Sequence, residues 1–211
     1  VRHTNFYDST LTKVDLSGKD LTGTILTGAD LSNSILDGVD LSGKDLTGTM
    51  LAGVDLSGKD LTGTILIGAD LTDAILPSDY LSADNLSGRD FSDMILRGLD
   101  LSGKDLTGAN LIRVDLSSMD LTDTILTDAN LTGANLSGTI LTNADLTGVN
   151  LSGAKLIGVD LSGMDLTGAT FVGANLITVD LTNTILTDAN LENVILSDTI
   201  LNCVGHPICV D

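Results

Sequence analysis

The chain of 211 residues has few of the residues on which most enzymes and nucleic-acid-binding proteins depend. Aromatic residues make up 2% of it, tryptophan is absent, and the only histidines are His3 and His206. This inventory offers no histidine-paired nucleophile and no glycine-rich phosphate loop. Lysine and arginine number 10 against 29 aspartate and glutamate residues, which gives a formal net charge of −19. The composition argues against an enzyme and against direct binding of nucleic acid, and it favours partners with a basic or cationic surface.

Proline, cysteine and long apolar segments are also scarce. No apolar run is long enough to cross a membrane, so we expect no membrane span, and nothing at the N-terminus resembles a signal peptide. Cys203 and Cys209 lie near the C-terminus, where they either form a disulfide or remain free thiols. Together with His206 they would supply three soft ligands, one fewer than a structural zinc site uses. We therefore predict neither a metal nor a cofactor.

The chain does contain a leucine or phenylalanine at every fifth position. From Phe6 to Leu201 this column is unbroken over 40 positions, of which 37 are Leu and three are Phe. If this position is numbered i, the column at i+2 holds 22 of the 23 glycines, and most of its other residues are Asp or Asn. These residues tolerate positive φ, so the sequence predicts a tight turn after every leucine. Ser and Thr dominate i+1, Asp, Asn and Ile dominate i−1, and Ala, Val and Thr dominate i−2.

A period of five fits neither a helix nor an ordinary strand. In an α-helix, successive fifth residues are rotated by about 140°, which would scatter the leucines around the surface. A strand would alternate them between its two faces. A short strand at i−2 to i, followed by a turn at i+1 and i+2, instead directs every leucine to one axis. The sequence therefore predicts one elongated solenoid domain over residues 1–203, with a short tail or cap at 204–211.

The repeated unit A/V-D/N-L-S/T-G resembles the pentapeptide repeat family. It stands intact as "ADLSN" at 29–33, "ANLTG" at 129–133 and "ANLSG" at 134–138, and the resemblance covers roughly residues 4–202. The resemblance implies an all-β fold, a right-handed quadrilateral parallel β-helix with four pentads per coil and with i and i−2 pointing inward. With four pentads in each coil, the chain would form about ten coils.

Charged residues at i−2 are the main departure from the pattern. Lys59, Asp79, Asp84 and Lys104 all occupy this inward position. Residues four pentads apart should lie on neighbouring coils, and an isolated buried carboxylate is costly. We therefore predict two core ion pairs, Lys59 with Asp79 and Asp84 with Lys104. The alternative is that i−2 turns outward in these pentads.

Isoleucine replaces Asp at several outward i−1 positions and crowds the last coil at Ile185, Ile195 and Ile200. An apolar end with an open strand edge needs a cover. Members of the family often dimerise through their C-terminal coils, so the resemblance implies an end interface at these residues and a homodimer. The alternative is that residues 202–211 fold over the end as a cap.

Two functions remain open at this point. The first is a non-enzymatic acidic solenoid that acts as a structural or protein-interaction scaffold, and we favour it. The second is implied by the resemblance, because some pentapeptide repeat proteins mimic DNA and bind type II topoisomerases, chiefly DNA gyrase. The negative charge favours this DNA mimic, whereas the outward isoleucines interrupt the charge and speak against it.

Overall fold

The computed structural model describes residues 1–77, 80 and 86–209 of the chain. Its β-structure consists of single-residue parallel bridges rather than long strands, and each bridge within the repeats joins two i−1 positions. Most bridges connect residues four pentads apart, such as Asn5 with Ile25 and Asn130 with Asn150. At these bridges, each pentad lies against the fourth pentad that follows it.

Each pentad begins with a turn that closes directly after the core leucine. The amide of Ala29 donates to the carbonyl of Leu26 at 2.9 Å, and the same i+3 to i hydrogen bond recurs along the chain. The third residue of the turn has positive φ, as at Gly48 with 65° and Asn33 with 57°. Glycine adopts this backbone without strain and Asn tolerates it better than most residues, which explains the composition of the i+2 column.

Neighbouring coils are joined by backbone hydrogen bonds on both sides of the core residue. The amide of Leu31 donates to the carbonyl of Met50 at 2.8 Å, and the amide of Met50 donates to the carbonyl of Ala29 at 2.9 Å. This pattern satisfies backbone groups that the short strands could not pair within themselves.

The interior is formed by the side chains at i and i−2. Leu151 and Val149 are fully buried, as are most of the leucines in the described part of the chain. Polar residues at i−2 are buried with a hydrogen-bond partner. The hydroxyl of Thr49 donates to the carbonyl of Leu26 at 3.0 Å, and that of Thr184 donates to the carbonyl of Leu161 at 2.8 Å. The hydroxyls therefore replace the water that these carbonyls would otherwise bind.

The uniform spacing of four pentads that the family resemblance implied does not hold at one place within the repeats. Asp70 pairs with Ile95, five pentads later, and the amide of Leu71 donates to the carbonyl of Ile95 at 2.9 Å. The regular spacing resumes at Asp90, which pairs with Asn110. One extra pentad leaves the column of leucines in phase, so the leucine period could not reveal it. Leu86, within this interval, is the one described residue with a helical backbone.

The chain divides into two compact units. Unit 1 comprises Val1–Ser82 with Asp93–Leu99, and unit 2 comprises Ala83–Ser92 with Asp100–Asp211. No helix in the described residues is long and apolar enough to cross a membrane.

Candidate interaction surface

The outward carboxylates at i−1 have a structural role, since they close the turn that follows them. Asp165 Oδ1 accepts the amide of Thr167 at 2.9 Å and its hydroxyl at 2.6 Å, and Asp160 Oδ1 accepts the amide of Ser162 at 2.9 Å. Hydrogen bonds from the Thr167 hydroxyl, and next from its amide, lower the pKa of Asp165. The Ser162 hydroxyl and amide lower the pKa of Asp160 in the same way. A carboxylate that accepts two such bonds is favoured in its charged form.

Asparagine closes the same turn without a charge. Asn130 Oδ1 accepts the amide of Thr132 at 3.2 Å and its hydroxyl at 2.6 Å. Asn150 accepts the corresponding groups of Ser152 at 3.1 and 2.7 Å. Asp and Asn are thus alternatives for the turn, and the choice between them decides the charge of the surface.

In unit 2 the regular spacing arranges the pentads in four stacks. We number these stacks by their core residues: stack 1 contains Leu101, Leu121, Leu141, Leu161 and Leu181; stack 2 contains Leu106, Leu126, Leu146, Leu166 and Leu186; stack 3 contains Leu111, Leu131, Leu151, Phe171 and Leu191; stack 4 contains Leu116, Leu136, Leu156, Leu176 and Leu196. Stacks 1 and 2 follow each other along the chain in every coil, as do stacks 3 and 4.

Charge is divided unequally between these stacks. Over residues 100–198, stacks 1 and 2 carry ten carboxylates and one cation, Lys104. The carboxylates are Asp100, Asp105, Asp120, Asp123, Asp128, Asp145, Asp160, Asp165, Asp180 and Asp188. Stacks 3 and 4 carry three carboxylates, Asp115, Glu192 and Asp198, and two cations, Arg113 and Lys155. We call stacks 1 and 2 the acidic half of unit 2 and stacks 3 and 4 its amide half.

Asparagine occupies the turn-closing position through most of the amide half. It stands at Asn110, Asn130, Asn135, Asn150, Asn175 and Asn190. Two of these side chains also donate to a carboxylate one coil away, because Asn110 Nδ2 bonds Asp90 Oδ1 at 3.0 Å and Asn135 Nδ2 bonds Asp115 Oδ1 at 3.2 Å. The net charge of unit 2 is therefore concentrated on one pair of stacks, a feature that becomes visible once the coil length is known.

Unit 1 has a different surface pattern. Three of its stacks alternate polar and apolar residues at i−1 from coil to coil, apart from Thr10 and Asp30, which are both polar, and the fourth carries Asp20, Asp40 and Asp60. The alternating stacks read Asn5, Ile25, Asp45, Ile65; Thr10, Asp30, Met50, Asp70, Ile95; and Asp15, Ile35, Asp55, Ile75. Arg2 forms a salt bridge with Asp20 at the exposed start of the fourth stack. Carboxylates in the alternating stacks are thus separated by an apolar residue.

Asp79 and Asp84, the carboxylates of the two predicted core ion pairs, lie outside the described residues. Lys59 is half-buried, and its Nζ donates to the backbone carbonyl of Leu36 at 2.6 Å. The Thr64 hydroxyl donates to the carbonyl of Leu41 at 3.1 Å in the same way, so Lys59 and Thr64 both bond a backbone carbonyl of the preceding coil. The sequence did not predict a backbone acceptor for Lys59. Lys104 is also half-buried.

The C-terminal end brings together the two cysteines. Cys203 and Cys209 form a disulfide with 4.9 Å between their Cα atoms. His206 lies inside this loop, where its Nδ1 accepts the amide of Ile208 at 3.1 Å. Within residues 1–77, 80 and 86–209, no three His, Cys, Asp or Glu side chains are arranged to hold a metal ion.

The isoleucines of the last coil are exposed. Ile195 and Ile200 are 50% and 51% exposed, and Ile185 is also on the surface. Val204, which the sequence analysis did not single out, pairs with Ile185 and is 54% exposed. In the described part of the tail, Val204 is the last residue with a backbone hydrogen bond to the preceding coil. Residues 205–209 therefore do not continue the β-structure over the end.

The sequence matches the family of pentapeptide repeats over residues 4–43, 45–76, 90–128, 124–163 and 162–198. No protein with a curated description matches it. Among solved structures, HetL of the cyanobacterium Nostoc sp. strain PCC 7120, involved in heterocyst differentiation regulation, is 32% identical over 100% of this chain and 92% of that chain, with a TM-score of 0.48. Rfr23 of the cyanobacterium Cyanothece 51142 is 32% identical over 50% of this chain and 90% of its own, with a TM-score of 0.37.

QnrB1, a plasmid-mediated fluoroquinolone resistance protein, is 23% identical over 90% of both chains, with a TM-score of 0.33. The repeats matched by the family span most of the sequence. The chain therefore belongs to the pentapeptide repeat family, whose members fold as right-handed parallel β-helices.

Proposed function

We propose that the protein is a non-enzymatic interaction scaffold that binds a protein with a cationic surface through the acidic half of unit 2. Pentapeptide repeat proteins are generally structural or interaction proteins rather than enzymes. The observation that supports this particular surface is the unequal division of charge. The turn accepts Asn as well as Asp, as Asn130 and Asp165 illustrate, so the fold itself does not require ten carboxylates on one pair of stacks.

We infer that the solenoid is four-sided, with about ten coils over residues 1–203 and a tail at 204–211. The regular spacing of the bridges supports four pentads per coil. On such a coil, stacks 1 and 2 form two adjoining sides. Their carboxylates would together attract a basic partner and steer its approach, an effect that weakens as salt screens the charges.

The test is a pull-down from native extract with the wild-type protein and two variants of equal net charge. D120N/D160N removes two carboxylates from the acidic half, and D45N/D70N removes two from unit 1. Asn preserves the turn at all four positions. We expect a protein bound by the wild type and by D45N/D70N to bind D120N/D160N about tenfold more weakly. Equal weakening by both variants would mean that total charge, rather than this surface, controls binding, and would contradict the proposal.

We further propose that a second copy docks at the C-terminal end to form a homodimer. Ile185, Ile195 and Ile200, together with Val204, expose apolar surface beside the edge of the last coil. Light scattering coupled to gel filtration tests this contact. Ile200→Asp should shift the protein to a monomer. Ile140→Asp is the control and should leave the dimer intact. Ile140 is equally exposed at 51%, but it lies three coils before Ile200 and therefore away from the end. A monomeric wild-type protein would contradict the dimer.

A DNA mimic that binds DNA gyrase is the second candidate, and the acidic half supports it. Ten carboxylates and one lysine over 100–188 amount to about one net charge per 2.4 Å for coils spaced about 4.8 Å apart, against about 1.7 Å in duplex DNA. Ile125 and Ile140 interrupt this row, which favours the scaffold. A supercoiling assay with gyrase separates the two: inhibition at micromolar protein that is lost in D120N/D160N would support the mimic, and no inhibition would exclude it.

A further inference from the structure

We propose that the Cys203–Cys209 disulfide is a redox-sensitive latch that holds the final β-bridge in place. The proposal concerns the order of the last coil, and its consequence for assembly rests on the homodimer proposed above. Both cysteines of the chain take part, so no other thiol can respond to a change in redox conditions.

The final bridge has little other support. Val204 donates its amide to Thr184 O at 2.9 Å and accepts the amide of Leu186 at 2.9 Å. The regular spacing would pair Ile185 with Gly205, yet Ile185 pairs with Val204, so the chain has already left the repeat at this point. Two hydrogen bonds at the end of a chain do not by themselves offset the entropy lost by ordering the residues that follow.

Beyond Val204 the tail does not continue the ladder. Gly205 has φ of 84°, and a Cβ at this position would stand 2.6 Å from Thr187 Oγ1, so the chain crosses the coil closely there. Pro207 has no amide to donate. The described residues 205–209 make only local backbone bonds, such as that from the Cys209 amide to His206 O at 3.0 Å. The disulfide joins Cys209 to the buried Cys203 and is therefore the covalent constraint on the residues between them.

The two sulfurs differ in accessibility. Cys203 is 6% exposed, whereas Cys209 is half-buried. A thiolate from a dithiol reductant would attack Cys209 Sγ, breaking the S–S bond and releasing Cys203 as a thiolate that takes up a proton. The second thiol of the reductant then resolves the mixed disulfide. The products are two cysteine thiols and the oxidised reductant.

Reduction removes this closure from residues 204–208, so the bridge at Val204 should open. The amides of Leu186 and Val204 then lose their partners. Ile185 and Ile200 keep their own bonds to the preceding coil, because their amides donate to Met164 O and Val179 O at 2.9 and 3.0 Å, so Val204 is the residue that leaves the apolar surface. The surface proposed for the homodimer would thus be complete only in the oxidised protein.

Hydrogen exchange followed by mass spectrometry or NMR tests the latch in the full chain, with and without dithiothreitol. Complete reduction is checked by the mass added on alkylation of two thiols. We expect protection of the Leu186 and Val204 amides to fall at least tenfold, whereas the Gly163 amide, which donates to Thr182 O at 2.8 Å, should be unchanged. Unchanged protection at Leu186 and Val204 after complete reduction would overturn the proposal.

The variant C203S/C209S provides the matched control, because it should reproduce the reduced exchange pattern without any reductant and should not respond to dithiothreitol. An oxidised exchange pattern in this variant would also overturn the latch. Light scattering of the same samples keeps the two proposals distinct. If reduction opens the bridge but assembly does not change, the latch is supported and the contribution of Val204 to the homodimer is contradicted.

Discussion

At the i+2 position, the backbone and the choice of residue are tightly linked. All but one of the glycines lie there, with φ between 63° and 82°, and the described non-glycine residues at this position from Asp8 to Asp198 have φ between 50° and 60°. Pentads with and without glycine therefore have the same turn. This agreement is why the composition of one column was enough to predict where the chain bends.

Gly48 offers a test of this dependence on positive φ. Its φ is 65°, and a Cβ would meet only backbone atoms of Gly28 at 3.9 Å, an ordinary contact. Gly48→Ala should therefore lower the free energy of unfolding through backbone strain alone, by about 1–2 kcal/mol. Gly48→Asn should cost less, because Asn tolerates this conformation. Urea denaturation of both variants measures the difference, and an equal loss for Ala and Asn would contradict it.

At the residue scale, Lys59 uses an acceptor that no side-chain pattern predicts. Its Nζ donates to the main-chain carbonyl of Leu36 in the neighbouring coil, and its pairing with Asp79 stays a prediction. That acceptor belongs to the backbone and has no side-chain signature. Only the coil geometry could have revealed it.

At the scale of the pentad, the turn-closing carboxylates couple stability to pH. Hydroxyl and amide donors of the residue two positions later lower the pKa of Asp45, Asp105 and Asp160 from an ordinary value of 3.8. A carboxylate whose folded-state pKa is lowered stabilises the fold above its unfolded pKa, and this contribution is lost as pH falls toward the folded value.

We therefore expect the melting temperature to be constant above about pH 5 and to decrease as the pH falls below about 4. Melts followed by circular dichroism at several pH values measure this decrease. The variant D105N/D160N, whose amides keep the acceptor but do not titrate, should show a smaller decrease than the wild type. A melting temperature that rises on acidification would mean that relief of repulsion among the carboxylates outweighs the loss of their hydrogen bonds.

The turn and its core leucine could be predicted from the sequence because both repeat within a single pentad. The coil could not, because the leucine column has the same phase whether a coil contains four pentads or five. The coil of five pentads is revealed by the backbone pairing of Asp70 with Ile95. The charge division of unit 2 was accessible in principle, since writing residues 100–198 in rows of four pentads separates the Asp columns from the Asn columns.

For the whole molecule, a solenoid predicts that distant core substitutions act independently. Each repeat contacts its neighbours and not the rest of the chain, so stability is approximately a sum of local terms. Leu51 and Leu71, one coil apart in unit 1, and Leu151 in unit 2 are all fully buried.

Each of these leucines should cost about 2–5 kcal/mol when replaced by alanine. We expect L51A and L151A to be additive within about 0.5 kcal/mol in urea denaturation, whereas L51A and L71A should deviate more because their cavities adjoin. Strong coupling between L51A and L151A would show that the two units unfold as one tightly cooperative block rather than as a sum of repeats.

The equivalence of Asp and Asn in closing the turn has a consequence for how such a protein can change. Their codons differ by one base at the first position, so a single G-to-A transition removes a negative charge while Oδ1 keeps its two donors, as in Asn150 beside Ser152. Electrostatic preference for a partner can thus drift one mutation at a time while the turn is kept, which makes binding specificity in this architecture easy to acquire and equally easy to lose.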